Sequence, residues 1–187
     1  MEKDKDMAIF AFNPLQNHYT VEDIYALPPG VRAELLDGEM FYMDSPSRKH
    51  QELVGEMFVR IHEYIREKQG ECKVYISPFA VILFADAKNY VEPDVCVICD
   101  HDKLDERGCV GAPDWAIEVV SPISRQMDYK IKVLKYRTAG VREYWIIDPK
   151  KEQVTVYDFE KYTVEAFSFD KEISSAVLTG FSVKIGT

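Results

Sequence analysis

The feature that most constrains this chain is a series of apolar runs at 73–76, 79–85, 94–100 and 114–121, each of strand length. A strand wetted on one face alternates apolar and polar residues, whereas one covered on both faces reads as a nearly unbroken apolar stretch. Helices should therefore cover this sheet, and the sequence offers two. Leu53, Met57, Ile61 and Ile65 recur every fourth residue after Ser45-Pro46-Ser47, with Val54 and Phe58 widening the stripe and Gly70 closing the helix. A second helix is expected over 127–139, with Ile131, Leu134 and Thr138 on its buried side and Gly140 at its end. Strands over 143–148, 153–159, 163–168 and 176–185 would complete one mixed sheet. Nearer the N-terminus, Thr20 with Asp23 predicts a short helix over 21–27 that Leu27-Pro28-Pro29-Gly30 stops. Asp37-Gly38 between residues 32–36 and 39–43 predicts a hairpin, because Asp-Gly suits a tight turn. The expected class is α/β, a mixed central β-sheet flanked by helices.

A length of 187 residues with 47% hydrophobic content fits one domain over 19–187, preceded by a loosely held arm over 1–18. No apolar run approaches the roughly 20 residues of a membrane span. The charged start Met1-Glu2-Lys3-Asp4-Lys5-Asp6 does not read as a secretory signal. These features, with Cys72, Cys96, Cys99 and Cys109 taken as reduced thiols, lead to the expectation of a cytoplasmic protein. Cys96-Val97-Ile98-Cys99 with His101 and Cys109 invites a zinc reading, but residues 96 and 99 point to opposite faces of a strand. No organic cofactor is expected.

The net charge of −9 stands against a nucleic-acid partner, since phosphate binding draws on Lys and Arg. Distribution matters more than the sum. Between residues 125 and 137, Arg125, Lys130, Lys132, Lys135 and Arg137 face a single acid, Asp128. Such a segment is either a phosphate-contacting face or a solvated basic helix.

Two Pro-Asp pairs compete as sources of a metal-binding carboxylate. Asp114 and Glu118 share a strand four residues apart, roughly 13 Å, and cannot hold one ion. If the strands at 94–100 and 114–121 pair antiparallel, Asp94 falls opposite 118–120, where neighbours are roughly 5 to 8 Å apart. Carboxylates and a backbone carbonyl form the oxygen shell that Mg²⁺ or Mn²⁺ prefers. Asp128, Lys132 and Tyr136 fall on one helix face, so Lys132 can meet that site or form no more than an exposed ion pair with Asp128.

Several ordered blocks carry a resemblance: Ala33-Glu34-Leu35-Leu36-Asp37-Gly38-Glu39, Glu92-Pro93-Asp94, Ile117-Glu118-Val119-Val120-Ser121-Pro122, Asp128 with Lys132 and Tyr136, and 140–149. From about Tyr19 to Ile185 the chain resembles the Uma-type family of restriction endonucleases within the PD-(D/E)xK superfamily. The resemblance implies a restriction-endonuclease-like fold, with Asp94 and Glu118 as metal ligands, the Val119 carbonyl beside them and Glu34 as a third acid. Val120 stands where the superfamily's parent pattern has its lysine. In this family the lysine is moved to the following helix, at Lys132 here, with Lys130 and Lys135 as alternatives. His50 and Gln51 could reach substrate or water. The implied activity is metal-dependent hydrolysis of DNA, by a homodimer because two strands need two sites. A non-catalytic, nuclease-derived binding or regulatory domain and a phosphodiesterase acting on RNA or small nucleotides are the alternatives.

Overall fold

The computed structural model describes residues 18–186, so the arm expected over 1–18 lies, except for His18, outside the described residues. In chain order the elements are α1 (Val21–Tyr25), β1 (Ala33–Leu36), β2 (Glu39–Tyr42), α2 (Arg48–Glu67), β3 (Lys73–Ile76), β4 (Ala80–Ile82), β5 (Tyr90–Val91), β6 (Val95–Ile98) and β7 (Gly108–Val110). They continue with β8 (Trp115–Val119), α3 (Val133–Ala139), β9 (Glu143–Asp148), β10 (Gln153–Asp158), β11 (Thr163–Ser168), β12 (Ile173–Ser174) and β13 (Ser182–Val183). No helix among the described residues is long and apolar enough to cross a membrane.

Local signals act as read. Thr20 and Asp23 close the start of α1, the Asp23 carboxylate accepting from the Thr20 amide at 2.7 Å. Asp37 and Gly38 both take positive φ, 53° and 81°, which lets β1 turn directly into β2. Ser47 caps α2, and Gly140 ends α3 in the left-handed conformation at φ 96°.

The expected single sheet is divided. Six strands run in the order β11-β10-β9-β8-β6-β3, and five others form a second sheet, β2-β1-β5-β4-β7. The division falls at Glu92-Pro93-Asp94, where the chain leaves β5 in one sheet and enters β6 in the other. Proline lacks the amide a continuing ladder would need. The 176–185 run is not a strand of the large sheet either. Its last part pairs with β12 as a separate ribbon, while Leu178, Phe181, Val183 and Ile185 pack with α2.

The central strands of the six-stranded sheet are thus covered on both faces, as their apolar runs require, while the edge strand β11 is mostly exposed. Leu53, Val54, Met57 and Ile61 of α2 bury one face with Val95, Val97, Trp115, Ile117, Trp145 and Ile147. Cys96, Ile98, Ala116, Tyr144 and Ile146 project to the other face, toward Leu36, Val81, Val91 and Tyr136.

Two expectations are corrected here. Cys72 and Cys99 form a disulfide, while Cys96 and Cys109 are free and buried. The antiparallel register Lys73 with Ile98 brings the flanking cysteines together, and cysteine usage is no argument for a reducing compartment. The helix over 127–139 also presents the opposite face from the one expected. Ile131 and Thr138 are exposed and Leu134 is 64% exposed, whereas Asp128, Lys132 and Tyr136 are buried.

Candidate active site

β6 and β8 pair antiparallel, Val95 opposite Ile117, so one step further Asp94 comes opposite Glu118. The Asp94 carboxylate accepts the Val119 amide through Oδ2 at 2.8 Å. The crossover from β8 to its parallel neighbour β9 then returns over this end of the sheet. Six of its residues, Met127–Lys132, wind as a π-helix before α3 begins, a wider coil that recurs at functional sites. That segment drives Asp128 and Lys132 inward.

Lys132, only 4% exposed, lies among three carboxylates. Its Nζ donates to Glu118 Oε1 at 2.8 Å, meets Glu34 at 2.9 Å to Oε1 and 2.8 Å to Oε2, and stands 3.9 Å from Asp128 Oδ1. Tyr136, one turn on, donates its hydroxyl to the same Glu118 oxygen at 2.8 Å. From α2, His50 Nε2 reaches Asp94 Oδ2 at 3.2 Å. Eight of the expected site residues therefore meet: Glu34, His50, Asp94, Glu118, Val119, Asp128, Lys132 and Tyr136.

The electrostatics follow from burial. Desolvation pushes the Glu118 carboxyl well above the usual carboxylate range, and Asp94, Asp128 and Glu34 add to that against the opposing pull of Lys132. Asp128 is pushed up to about 6, again by burial first, with Lys132 and Ser124 acting to lower it. Burial would lower the Lys132 pKa, but the charges of Glu118, Glu34 and Asp128 raise it overall, which keeps the ammonium charged. For His50, burial is outweighed by Asp94 and the Val119 carbonyl, and its pKa rises.

Four carboxylates thus gather around one lysine and one histidine in a largely buried cluster, an oxygen-rich set of the kind a hard divalent cation prefers. Two further observations fit such an ion. Among the described residues, neither oxygen of buried Asp128 makes a hydrogen bond of ordinary geometry. The contacts of Asp94 with the Val119 amide and His50 fall on Oδ2, and those of Glu118 with Lys132 and Tyr136 on Oε1. No three His, Cys, Asp or Glu side chains of the described residues already form a metal-holding group. Lys132 Nζ lies between Glu34 and Glu118 instead.

The remaining expected residues lie outside this cluster. Gln51 is exposed on the surface of α2. Arg125 forms a two-pronged ion pair with Asp148, at 2.6 and 2.9 Å, and its guanidinium lies over the Tyr129 ring. Lys135 pairs with Asp37, Arg137 lies over Tyr162, and Lys130 is exposed. Asp114, the competing Pro-Asp, accepts the Cys99 amide at the other end of β8. Glu92 was missed in the sequence: its amide donates to Glu34 Oε1 at 3.0 Å, and its adjacency to Asp94 was the available signal.

A family model described as "Uma2: Putative restriction endonuclease" matches residues 21–186. No curated protein matches the chain. Among solved structures, a protein from Anabaena variabilis, titled a "putative nuclease belonging to DUF820", superposes with a TM-score of 0.72 at 21% identity. That match covers 88% of this chain and 94% of the other, and it shows a shared restriction-endonuclease-like fold.

Proposed function

The chain belongs to the Uma2 family, and from that premise we propose that it is a Mg²⁺- or Mn²⁺-dependent endonuclease that hydrolyses DNA phosphodiester bonds. The observation that carries this reading is Lys132, an ammonium buried between Glu34 and Glu118 and one strand away from Asp94. Asp94, Glu118 and the Val119 carbonyl would hold the ion, an all-oxygen set suited to Mg²⁺ or Mn²⁺. When bound, it would polarise the scissile phosphate and lower the pKa of a water.

The chain's own groups divide the remaining work. Tyr136 and Lys132 both hold Glu118 by Oε1, which leaves Oε2 for a ligand role. His50 and the Val119 amide hold Asp94 by Oδ2 and leave Oδ1 in the same way. Glu34 grips Lys132 through both oxygens and so directs its ammonium toward the Asp94–Glu118 pair. There the ammonium is suited to orient the attacking water and to stabilise charge that develops on the phosphate. A homodimer fits double-strand cutting, one site for each strand.

One observation favours a second reading for substrate. Two of the four cations expected to meet DNA are already paired, Arg125 with Asp148 and Lys135 with Asp37. Fewer phosphate contacts suit a short, single-stranded or RNA substrate. Purified protein incubated with plasmid, single-stranded DNA and RNA in chelator, Mg²⁺, Mn²⁺ and Zn²⁺ tests both. The expected outcome is cleavage abolished by chelation and restored by Mg²⁺ or Mn²⁺, with no specific need for Zn²⁺. Absence of metal-dependent cleavage on every substrate would favour a non-catalytic binding domain.

A further inference from the structure

Arg32 sits one residue before β1, two residues from Glu34. Its Nε donates to Glu92 Oε2 at 2.8 Å, and Nη2 donates to that same oxygen and to Ser77 Oγ at 2.6 Å. The other Glu92 oxygen accepts the Tyr90 hydroxyl at 2.8 Å, so this carboxylate, 7% exposed, is held on both sides. The backbone of the two partners matters more. Glu92 donates its amide to Glu34 Oε1 at 3.0 Å, and Ser77 donates its amide to the Asp94 carbonyl at 3.0 Å. One guanidinium therefore ties together the residue that grips Glu34 and the residue that grips Asp94. It does so where the chain crosses between the two sheets and no β-ladder fixes the backbone.

We propose that Arg32 and Glu92 are positioning residues, a clamp on the Glu92-Pro93-Asp94 crossing that sets Asp94 for cation binding and Glu34 for its grip on Lys132. This rests on the metal-dependent reading above. Fold stability alone is a poor reason for the pair, since a partly buried ion pair often contributes little net stability. The planar fork of arginine, in contrast, can meet Glu92 and Ser77 at once, which lysine cannot do.

The test is Mn²⁺ titration of the full chain by calorimetry, held well below the unfolding midpoint, with circular dichroism and thermal melts run in parallel. Arg32→Gln and Glu92→Gln should bind Mn²⁺ about tenfold or more weakly, the usual scale for losing a group that orients a ligand. Arg32→Lys should not restore affinity, although it restores charge. Ser77→Ala, which removes one hydrogen bond, should show a smaller loss in a chain that folds normally. If Arg32→Gln fails to fold, Arg32→Lys and Ser77→Ala decide the matter. Melting temperatures that fall while Mn²⁺ affinity stays at the wild-type value would overturn the clamp alone. A wild-type protein that binds no Mn²⁺ would overturn the metal reading and the clamp with it.

Discussion

At position 132 the chain buries an ammonium that the i,i+4 spacing from Asp128 leaves free to be a surface pair. Its three carboxylate partners make removal costly in two ways. Lys132→Ala should abolish cleavage, and it should also lose about 3 to 5 kcal/mol in urea denaturation, because Glu34 and Glu118 are left buried without their cation. A loss of only a few tenths would mean that the ammonium is solvated. Asp128 gives the site a pH signature. Burial holds its carboxyl up at about 6, so the folded chain keeps a proton that the unfolded chain releases near pH 4. The stability this contributes is complete below about pH 4 and is lost as pH rises through about 6. Cation-free protein should therefore lose on the order of 3 kcal/mol from this group across that window. Asp128→Asn, which cannot ionise, should reduce the slope there and leave the part that Glu118 contributes; a wild-type slope in that variant would contradict the assignment.

Among the elements, the crossover from β8 to β9 is where sequence periodicity misleads. Ile131 and Leu134 have the spacing of a core stripe, yet the face opposite them is the buried one, where Asp128 and Lys132 enter the polar site and Tyr136 packs on the apolar sheet face. The block containing Asp128, Lys132 and Tyr136 carried the right face, and chemistry rather than hydrophobicity made it legible. Leu134→Gln should change stability by no more than about 0.5 kcal/mol, as for other surface positions. Tyr136→Phe, which removes a hydrogen bond to a buried carboxylate, should cost about 1 to 3 kcal/mol. Equal effects of the two substitutions would place the helix the other way round. By contrast, antiparallel pairing of β6 with β8 was readable as the condition that brings Asp94 opposite 118–120, and the register sets it opposite Glu118. β5 and β7 were not readable, being two and three residues long.

For the whole molecule, the apolar runs correctly required cover on both faces of the sheet, but they carried no sign of the break at Glu92-Pro93-Asp94. That break makes the site. It releases Asp94 from one sheet to face Glu118 in the other, and it leaves β1 free to bring Glu34 across. Glu143 plays the equivalent structural part at the far side, where it accepts Trp145 Nε1, the Ser175 hydroxyl and the amides of Ala176 and Val177, and so fastens the C-terminal segment over the core. The disulfide between Cys72 and Cys99 closes the β3–β6 edge, and nothing in the cysteine spacing distinguished that pair from free thiols. The central claim is that one divalent cation sits between Asp94 and Glu118 with the Lys132 ammonium beside it. The most direct measurement is anomalous diffraction from crystals soaked in Mn²⁺. A single peak within bonding distance of Asp94, Glu118 and the Val119 carbonyl is the predicted result; a peak coordinated elsewhere, or none in protein that cleaves with Mn²⁺, would contradict it.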